Sequence, residues 1–283
     1  SQAEFDTSVS PVDNASPWVA YQGAGGAGAG IAAIEITPQG SLTAGRIELI
    51  VTDQGAGVMH AGALLANIGD FTLSSSGELA VRGGSIEAAG DILVDAAALE
   101  VRGGSVVAGR DLVAQVGGFS LASEGALATV AAREGAVLVE SQGDIHNRGG
   151  LIQGAARRQV DLRSRGAVTL IAAGGIVNEA AAGAGPGVVF GTADDVALDA
   201  GSDIVNRGAR IVSNRNLFLD AAGDIDNGVE RSGGVASGVL TEYRSRTRNW
   251  FGLSKRVSGF VADYGALTGD QAYLVADGSI AAN

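Results

Sequence analysis

Residues 77–96 read GELAVRGGSIEAAGDILVDA, and residues 97–116 read AALEVRGGSVVAGRDLVAQV. The two stretches align without a gap. Arg82-Gly83-Gly84 falls on Arg102-Gly103-Gly104, Ile86 on Val106 and Asp91 on Asp111. Self-similarity at about 20 residues marks a solenoid, in which each repeat covers the apolar face of the one before it. Within and around the repeat, apolar residues alternate: Ile47-Leu49-Val51, Phe71-Leu73, Leu99-Val101, Val168-Leu170, Val196-Leu198 and Leu217-Leu219. Period two over four to six residues means strands with one buried face. Gly, Asp, Asn or Ser bounds each strand and supplies the turn. No apolar pattern of helical period is sustained. Three strands of about five residues with three short turns take about 20 residues, one coil of a parallel β-helix with strands about 4.8 Å apart. The whole chain then holds about 12 coils in a rod of about 55–60 Å.

This reading accounts for the composition. The 283 residues include 45 Gly, 4 Pro and no Cys, with a formal net charge of −12. Collagen is excluded by the lack of a G-X-Y period, and disorder is disfavoured by the recurring Leu, Ile and Val. A narrow interior takes Val, Leu, Ile and Ala, which fits 46% hydrophobic residues with only 5% aromatics. Repeated corners collect glycine. No apolar run reaches the length of a membrane span. The acidic balance argues against nucleic acid as a partner. Without cysteine there is no disulfide, thiolate metal site or cysteine nucleophile.

The second half carries a related phrase. It appears as Gly143-Asp144-Ile145-His146-Asn147-Arg148-Gly149 and returns as Ser202-Asp203-Ile204-Val205-Asn206-Arg207-Gly208. Gly175-Ile176-Val177-Asn178 and Gly223-Asp224-Ile225-Asp226-Asn227 are variants. Asn147, Asn178, Asn206 and Asn227 are expected to stack at equivalent positions as an amide ladder. The uneven spacing of these asparagines implies inserted loops, such as the Ala/Gly stretch 180–187. Two glycine-rich stretches, 23–30 and 183–187, are expected to be loose chain.

Residues 229–265 break the repeat. Val239 to Arg248 alternates, with Arg244, Arg246 and Arg248 at one parity. A tip holding Trp250-Phe251-Gly252 follows, and Lys255 to Tyr264 reads as a return strand. A projecting β-hairpin is expected here. Arg244, Arg246, Arg248, Lys255 and Arg256 put a basic stretch on an acidic protein, with Trp250 and Phe251 as possible anchors for an anionic glycan, lipid head groups or a partner protein. The alternative is a surface hairpin whose arginines pair with acidic turns, with Trp250 packed as a lid.

Other constellations carry less. Gly23-Ala24-Gly25-Gly26-Ala27-Gly28 matches G-x-G-x-x-G, but a dinucleotide site needs a helix opening there, and Pro38 follows too soon. Asp194-Asp195 could serve as general acid and base of a β-helix polysaccharide-cleaving enzyme. His60 and His146 are not flanked by glycines, and Lys255 is the only lysine, so no catalytic residue is assigned and the two aspartates are taken as exposed turn residues. Asp199, Asp203, Asp220, Asp224 and Asp226 are taken as solvated turn carboxylates. No metal or cofactor site is assigned. Arg157-Arg158 and Arg163-Arg165 suggest a small basic patch.

The GDIxNRG phrases resemble the repeats of filamentous haemagglutinin and the large exoproteins exported by two-partner secretion. The stretch from Gly45-Arg46-Ile47-Glu48-Leu49 to Val58 is similar to the sequence just after that family's secretion domain. Tyr243-Arg244-Ser245-Arg246-Thr247-Arg248-Asn249-Trp250-Phe251-Gly252-Leu253 resembles a polar-basic stretch of the family's repeats. Together these cover about residues 40–283. The resemblance, with the general crossover preference, implies a right-handed coil. It implies a non-enzymatic rod of a secreted, surface-exposed bacterial protein, exported through an outer-membrane two-partner secretion transporter without membrane insertion. Such a rod acts in adhesion to a host or bacterial receptor or glycan, or presents a distal effector; the alternative is the stick of a contact-dependent growth inhibition toxin. The Asn-Pro-Asn motifs of the secretion domain are absent, and the first residue is Ser1, so the chain is expected to be part of a larger protein. The expected organisation is 1–38 the end of a secretion-domain-like region with a Gly-rich loop, 39–228 the β-helix, 229–265 the hairpin and 266–283 the β-helix resumed.

Overall fold

The computed structural model describes residues 32–157, 163–229 and 271–283, together with the backbone of four further strands, Gln2–Phe5, Val19–Gln22, Val239–Arg248 and Ser254–Asp263. All regular elements among the described residues are strands. They wind into a β-solenoid with three parallel faces. The first face is a nine-stranded sheet from Ser41–Ala44 to Tyr273–Ala276. The second face runs from Ile47–Val51 to Ile280–Ala282, and the third from Ala32–Ile36 to Ile225–Gly228. These two join in one 16-stranded sheet, because Ile92–Arg102 and Leu112–Ala122 each run through both faces. Every strand of the faces pairs in parallel with its equivalent one coil on. Ser85 lies on Ser105, Ile92 on Leu112 and Leu99 on Phe119.

Alternation decides which side chains go in. On the first face Leu64, Ile86, Val106, Val130, Ile152, Val189 and Ile211 stack in one buried column. On the second, Phe71, Ile92, Leu112, Val137, Val168, Val196 and Leu217 do the same. Where the chain turns from the first face to the second, the inward position is always small: Ala66, Ala88, Ala108 and Ala132, then Gly154, Gly191 and Ser213. The core narrows at that corner and leaves no room for more than a methyl or hydroxymethyl group. Each buried Leu or Ile in such a column stabilises the fold by about 1.5–3 kcal/mol.

The coil count is lower than the sequence suggests. Nine strands at about 4.8 Å make the stack about 38 Å long, not 55–60 Å. The reason is that coils vary in length. The advance is 20 residues from Ser85 to Ser105 but 37 from Leu151 to Val188, where two loops are inserted. It is 63 from Arg210 to Tyr273.

That last interval contains residues 229–270, a separate compact unit. Within it Val239–Arg248 and Ser254–Asp263 pair antiparallel, with Arg244 opposite Ser258, Arg246 opposite Arg256 and Thr247 opposite Lys255. Trp250 and Phe251 lie outside the described residues. A second antiparallel pair, Gln2–Phe5 with Val19–Gln22, lies near the start of the chain. The stretch 23–30 falls outside the described residues. The stretch 183–187 is not loose: Ala181 and Gly185 exchange backbone hydrogen bonds of 2.9 and 3.1 Å, and Gly187 N–H donates to Glu179 O. Gly183 and Gly185 take φ of 79° and 95°, so glycine here closes a tight bulge.

Candidate functional site

Among the described residues no buried cleft gathers titratable groups. The candidate functional elements are the side-chain rows that coil stacking creates, and each is built from one position of the GDIxNRG phrase.

Asparagine fills an inward position at the end of the third-face strands. Asn147 Nδ2 donates to Asn178 Oδ1 at 2.8 Å, Asn178 to Asn206 at 2.8 Å and Asn206 to Asn227 at 2.7 Å. Asn147, Asn178 and Asn206 are 1–2% exposed. Each also donates to the carbonyl of a first-face residue one coil on: Val188, Arg210 and Tyr273 respectively. The Asn147 amide closes its own corner as well, giving to Gly150 O and accepting from Gly150 N–H. A buried amide needs both donors and its acceptor satisfied, and stacking at strand spacing provides this.

The row extends beyond the asparagines. By register it runs Ile36, His60, Val81, Val101, Leu121 and then Asn147. His60 is 1% exposed, and its Nε2 lies 2.9 Å from Ser85 O, the same type of carbonyl that the asparagines use. Its Nδ1 is buried without a partner. Burial pushes the imidazole pKa down, against the opposing hydrogen bond to Ser85, so the ring is held neutral.

The aspartate of the phrase does more than fill a turn: Asp144 and Asp203 stay exposed just before their strands, yet one oxygen of each holds the backbone of the next coil. Asp70 Oδ1 accepts from Asp91 N–H at 2.7 Å, Asp111 from Ala136 N–H at 2.8 Å, Asp144 from Gly175 N–H at 2.8 Å and Asp203 from Asp224 N–H at 2.8 Å. Each carboxylate reaches across to the next coil and takes a backbone donor that the corner leaves free. The preceding glycine makes this possible. A Cβ on Gly90, Gly135, Gly174 or Gly223 would lie 2.0–2.1 Å from the aspartate oxygen below. Ser202 stands where the others have glycine, and below it is Gly175, which has no carboxylate to accommodate. Asp91 accepts from Asp111 N–H and Asp195 from Asn216 N–H, at 3.0 Å each, with Arg110 and Arg215 in the glycine's place, and those arginines pair with the carboxylates at 3.0 and 3.8 Å. Composition showed these aspartates only as turn residues. The signal was present in the Gly-Asp dipeptide recurring one coil apart.

The remaining positions of the phrase set the corner and the surface. Gly83, Gly103, Gly149 and Gly208 take φ of 72°, 56°, 65° and 57°, the left-handed corner from the third face to the first. The preceding arginine points outward, as with Arg148 near Glu179 and Arg207 on Asp226. Earlier in the stack Glu100 sits between Arg82 and Arg102. Burial alone would raise its pKa, but the Arg102 and Arg82 hydrogen bonds and charges hold it low. Its neighbour Glu78 is pushed up by burial and by the charge of Glu100.

The other singled-out residues fall apart as a site. Asp194 is bound by Arg215 and by Arg157 N–H, and Asp195 by Asn216, so both serve structure rather than standing free in solvent. Burial would raise Asp194, yet the Asp195 N–H, Arg215 and the Arg157 N–H together keep it below the usual carboxylate range. Asp199, Asp220 and Asp226 lie on strands, not in turns. His146 also lies on a strand, exposed and 3.7 Å from Asp144. Arg163 and Arg165 pair with Glu140 and Asp199 rather than forming a free patch, and Arg158 lies outside the described residues. Arg244, Arg246, Arg248, Lys255 and Arg256 are placed by backbone register alone.

The haemagglutinin repeat family matches residues 23–149, 153–193 and 180–229. The chain belongs to the haemagglutinin repeat family. Comparison with curated proteins and with solved structures gives no match. The matched span of the haemagglutinin repeat contains the aspartate clamps and the whole asparagine row, so the residues that bond coil to coil lie within it. The haemagglutinin repeat is thus a filamentous haemagglutinin-like rod in sequence and in architecture.

Proposed function

We propose that this solenoid is a rod segment of a large exoprotein that is exported by two-partner secretion and displayed at the bacterial surface. There it holds a distal adhesive or toxic region away from the cell. The observation that supports this reading is axial: the clamps, the amide row and the strand pairing all join one coil to the next. Such a stack can grow one coil at a time as the chain emerges from a transporter pore. Adhesion by this segment itself would use the basic strand residues Arg244, Arg246, Arg248, Lys255 and Arg256, with Trp250 and Phe251. The reading gives the chain no reaction to catalyse.

Deleting residues 85–104 removes one coil in register, since Ser105 stacks on Ser85 and Leu112 on Ile92. In the full-length protein this deletion is expected to leave export and display of the distal region intact. Loss of cell binding by a Trp250→Ala/Phe251→Ala double variant of the purified chain would shift the reading to adhesion by this segment. Turnover of an acidic polysaccharide, abolished by Asp195→Ala, would overturn the rod reading.

A further inference from the structure

The second face presents two different surfaces along the stack. In Val137–Ser141, Val168–Ala172 and Val196–Ala200 the outward residues Leu138, Thr169 and Ala197 are each 1% exposed. Against these strands lies a strap, Arg163-Ser164-Arg165, part of the length that the chain inserts between Leu151–Gly154 and Val168–Ala172. Arg163 Nη1 lies 2.8 Å from Glu140, and Arg165 Nη2 lies 3.4 Å from Asp199. Arg165 N–H donates to Thr169 Oγ1 at 2.9 Å, and Ser164 between the arginines is buried. The strap therefore runs along the axis, crossing strands, with guanidiniums on the outward carboxylate column.

Among the described residues the same two columns continue without a cover toward the start of the chain. The inner one continues as Val113 and Leu93, the latter 43% exposed. The outer one continues as Gln115 and Asp95, an exposed carboxylate with no ion-pair partner among the described residues. A depression of about 630 Å³ lies between Asp95, Gln115, Glu140 and the flank of Arg163. A second of about 330 Å³, bounded by Glu48, Leu93 and Val113, shares Asp95 and Gln115 with the first. Open apolar surface, an unpaired acid and a continuous groove lie in line with the segment that already fills the same columns in cis.

We propose that these open coils, from 47–51 to 112–116, hold an extended arginine-bearing segment of a partner protein, laid in the line of the strap. Its guanidinium sits on Asp95 and its small or apolar side chains cover Leu93 and Val113, as Arg163-Ser164-Arg165 does on Glu140 and Asp199. The net charge of −12 draws such a segment in, and the groove fixes its register.

The test uses the full chain and a labelled peptide carrying residues 162–167 in tandem, read by fluorescence anisotropy. Binding that weakens with added salt is expected, as is a loss of about fivefold in affinity for Asp95→Lys, the effect of one partly exposed charge pair. Leu93→Ser should weaken binding as well, while Asp226→Lys on the third face should not. Circular dichroism of each variant checks the fold. Four results would overturn the proposal: no binding, binding indifferent to Asp95→Lys, equal binding of a scrambled peptide of the same charge, or loss of binding on Asp199→Ala, outside the groove, which would show the peptide replacing the strap.

Discussion

The two halves of the amide-bearing row solve one packing problem with different chemistry. In the first half Val81, Val101 and Leu121 fill the inward end of the third-face strands by shape. In the second half Asn147, Asn178, Asn206 and Asn227 fill it with directional hydrogen bonds. The corners that follow are alike: Arg82-Gly83-Gly84 and Arg148-Gly149-Gly150 have the same length and the same left-handed glycine. An apolar column tolerates a change of volume at one site because its neighbours keep their own contacts. An amide row does not, because Asn178 and Asn206 each bond two others.

The sharpest way to break this contrast is to truncate one member of each half. Asn178→Ala removes two ladder bonds, leaves the Asn206 acceptor unpaired in the core and reduces the Asn147 amide to its backbone acceptors, at a cost of about 3–4 kcal/mol. Val101→Ala should cost about 2 kcal/mol, the lost methyl groups plus a small cavity. Urea unfolding of both variants measures the gap; equal losses would show that the ladder behaves as ordinary filling.

The second comparison keeps the residue type and changes its surroundings. Gly149 and Gly83 share the left-handed corner, but a Cβ on Gly149 would lie 2.6 Å from the Ala181 side chain, while one on Gly83 meets nothing within 4 Å. Gly83→Ala should cost about 1–2 kcal/mol of backbone strain alone. Gly149→Ala should cost about 1–2 kcal/mol more, as the 180–187 bulge is pushed off. Thermal melts of the two variants resolve the difference.

His60 tests the row by pH. Its folded pKa is lowered, so the unfolded chain binds the proton more readily. The stability it supports is full above the ordinary histidine value of about 6.5 and is lost as pH falls toward the folded value. Denaturation midpoints taken from neutral pH down to about pH 5 should decline in the parent and flatten in this window in His60→Leu. A decline of the same steepness in both would remove His60 as its source.

The smallest effect separates a clamp from a surface pair. Asp203→Ala deletes the acceptor for Asp224 N–H and should cost about 1–1.5 kcal/mol. Asp226→Ala deletes only the exposed contact to Arg207 and should cost under about 1 kcal/mol, vanishing in high salt. Salt titration of both midpoints distinguishes them.

Much of this architecture is legible in the chain. Alternation at Phe71-Leu73 or Val196-Leu198 names the inward residues, and the Arg-Gly-Gly repeat marks the corner. What local pattern cannot show is which residue lies one coil away. Asp70 looks like any turn aspartate until Asp91 is stacked on it. Arg163 and Arg165 look like free basic surface until they are set against Glu140 and Asp199. His60 has no sequence likeness to Asn147 and is found in its row only by counting register through the coils between. Coil length is hidden for the same reason, since insertions at 155–167, 180–187 and 229–270 lengthen single coils without adding strands to the stack.

The glycine before each clamping position is dictated by its neighbour below, not by its own turn. Ser202 above Gly175 shows the rule by exception. Coils of this kind are therefore not freely interchangeable modules. A duplication or recombination event that sets a new coil above an aspartate succeeds only if that coil opens with glycine, or with an arginine that can fold over the carboxylate. The Gly-Asp pair thus acts as a two-letter grammar of succession, in which aspartate constrains the next coil and glycine answers the last.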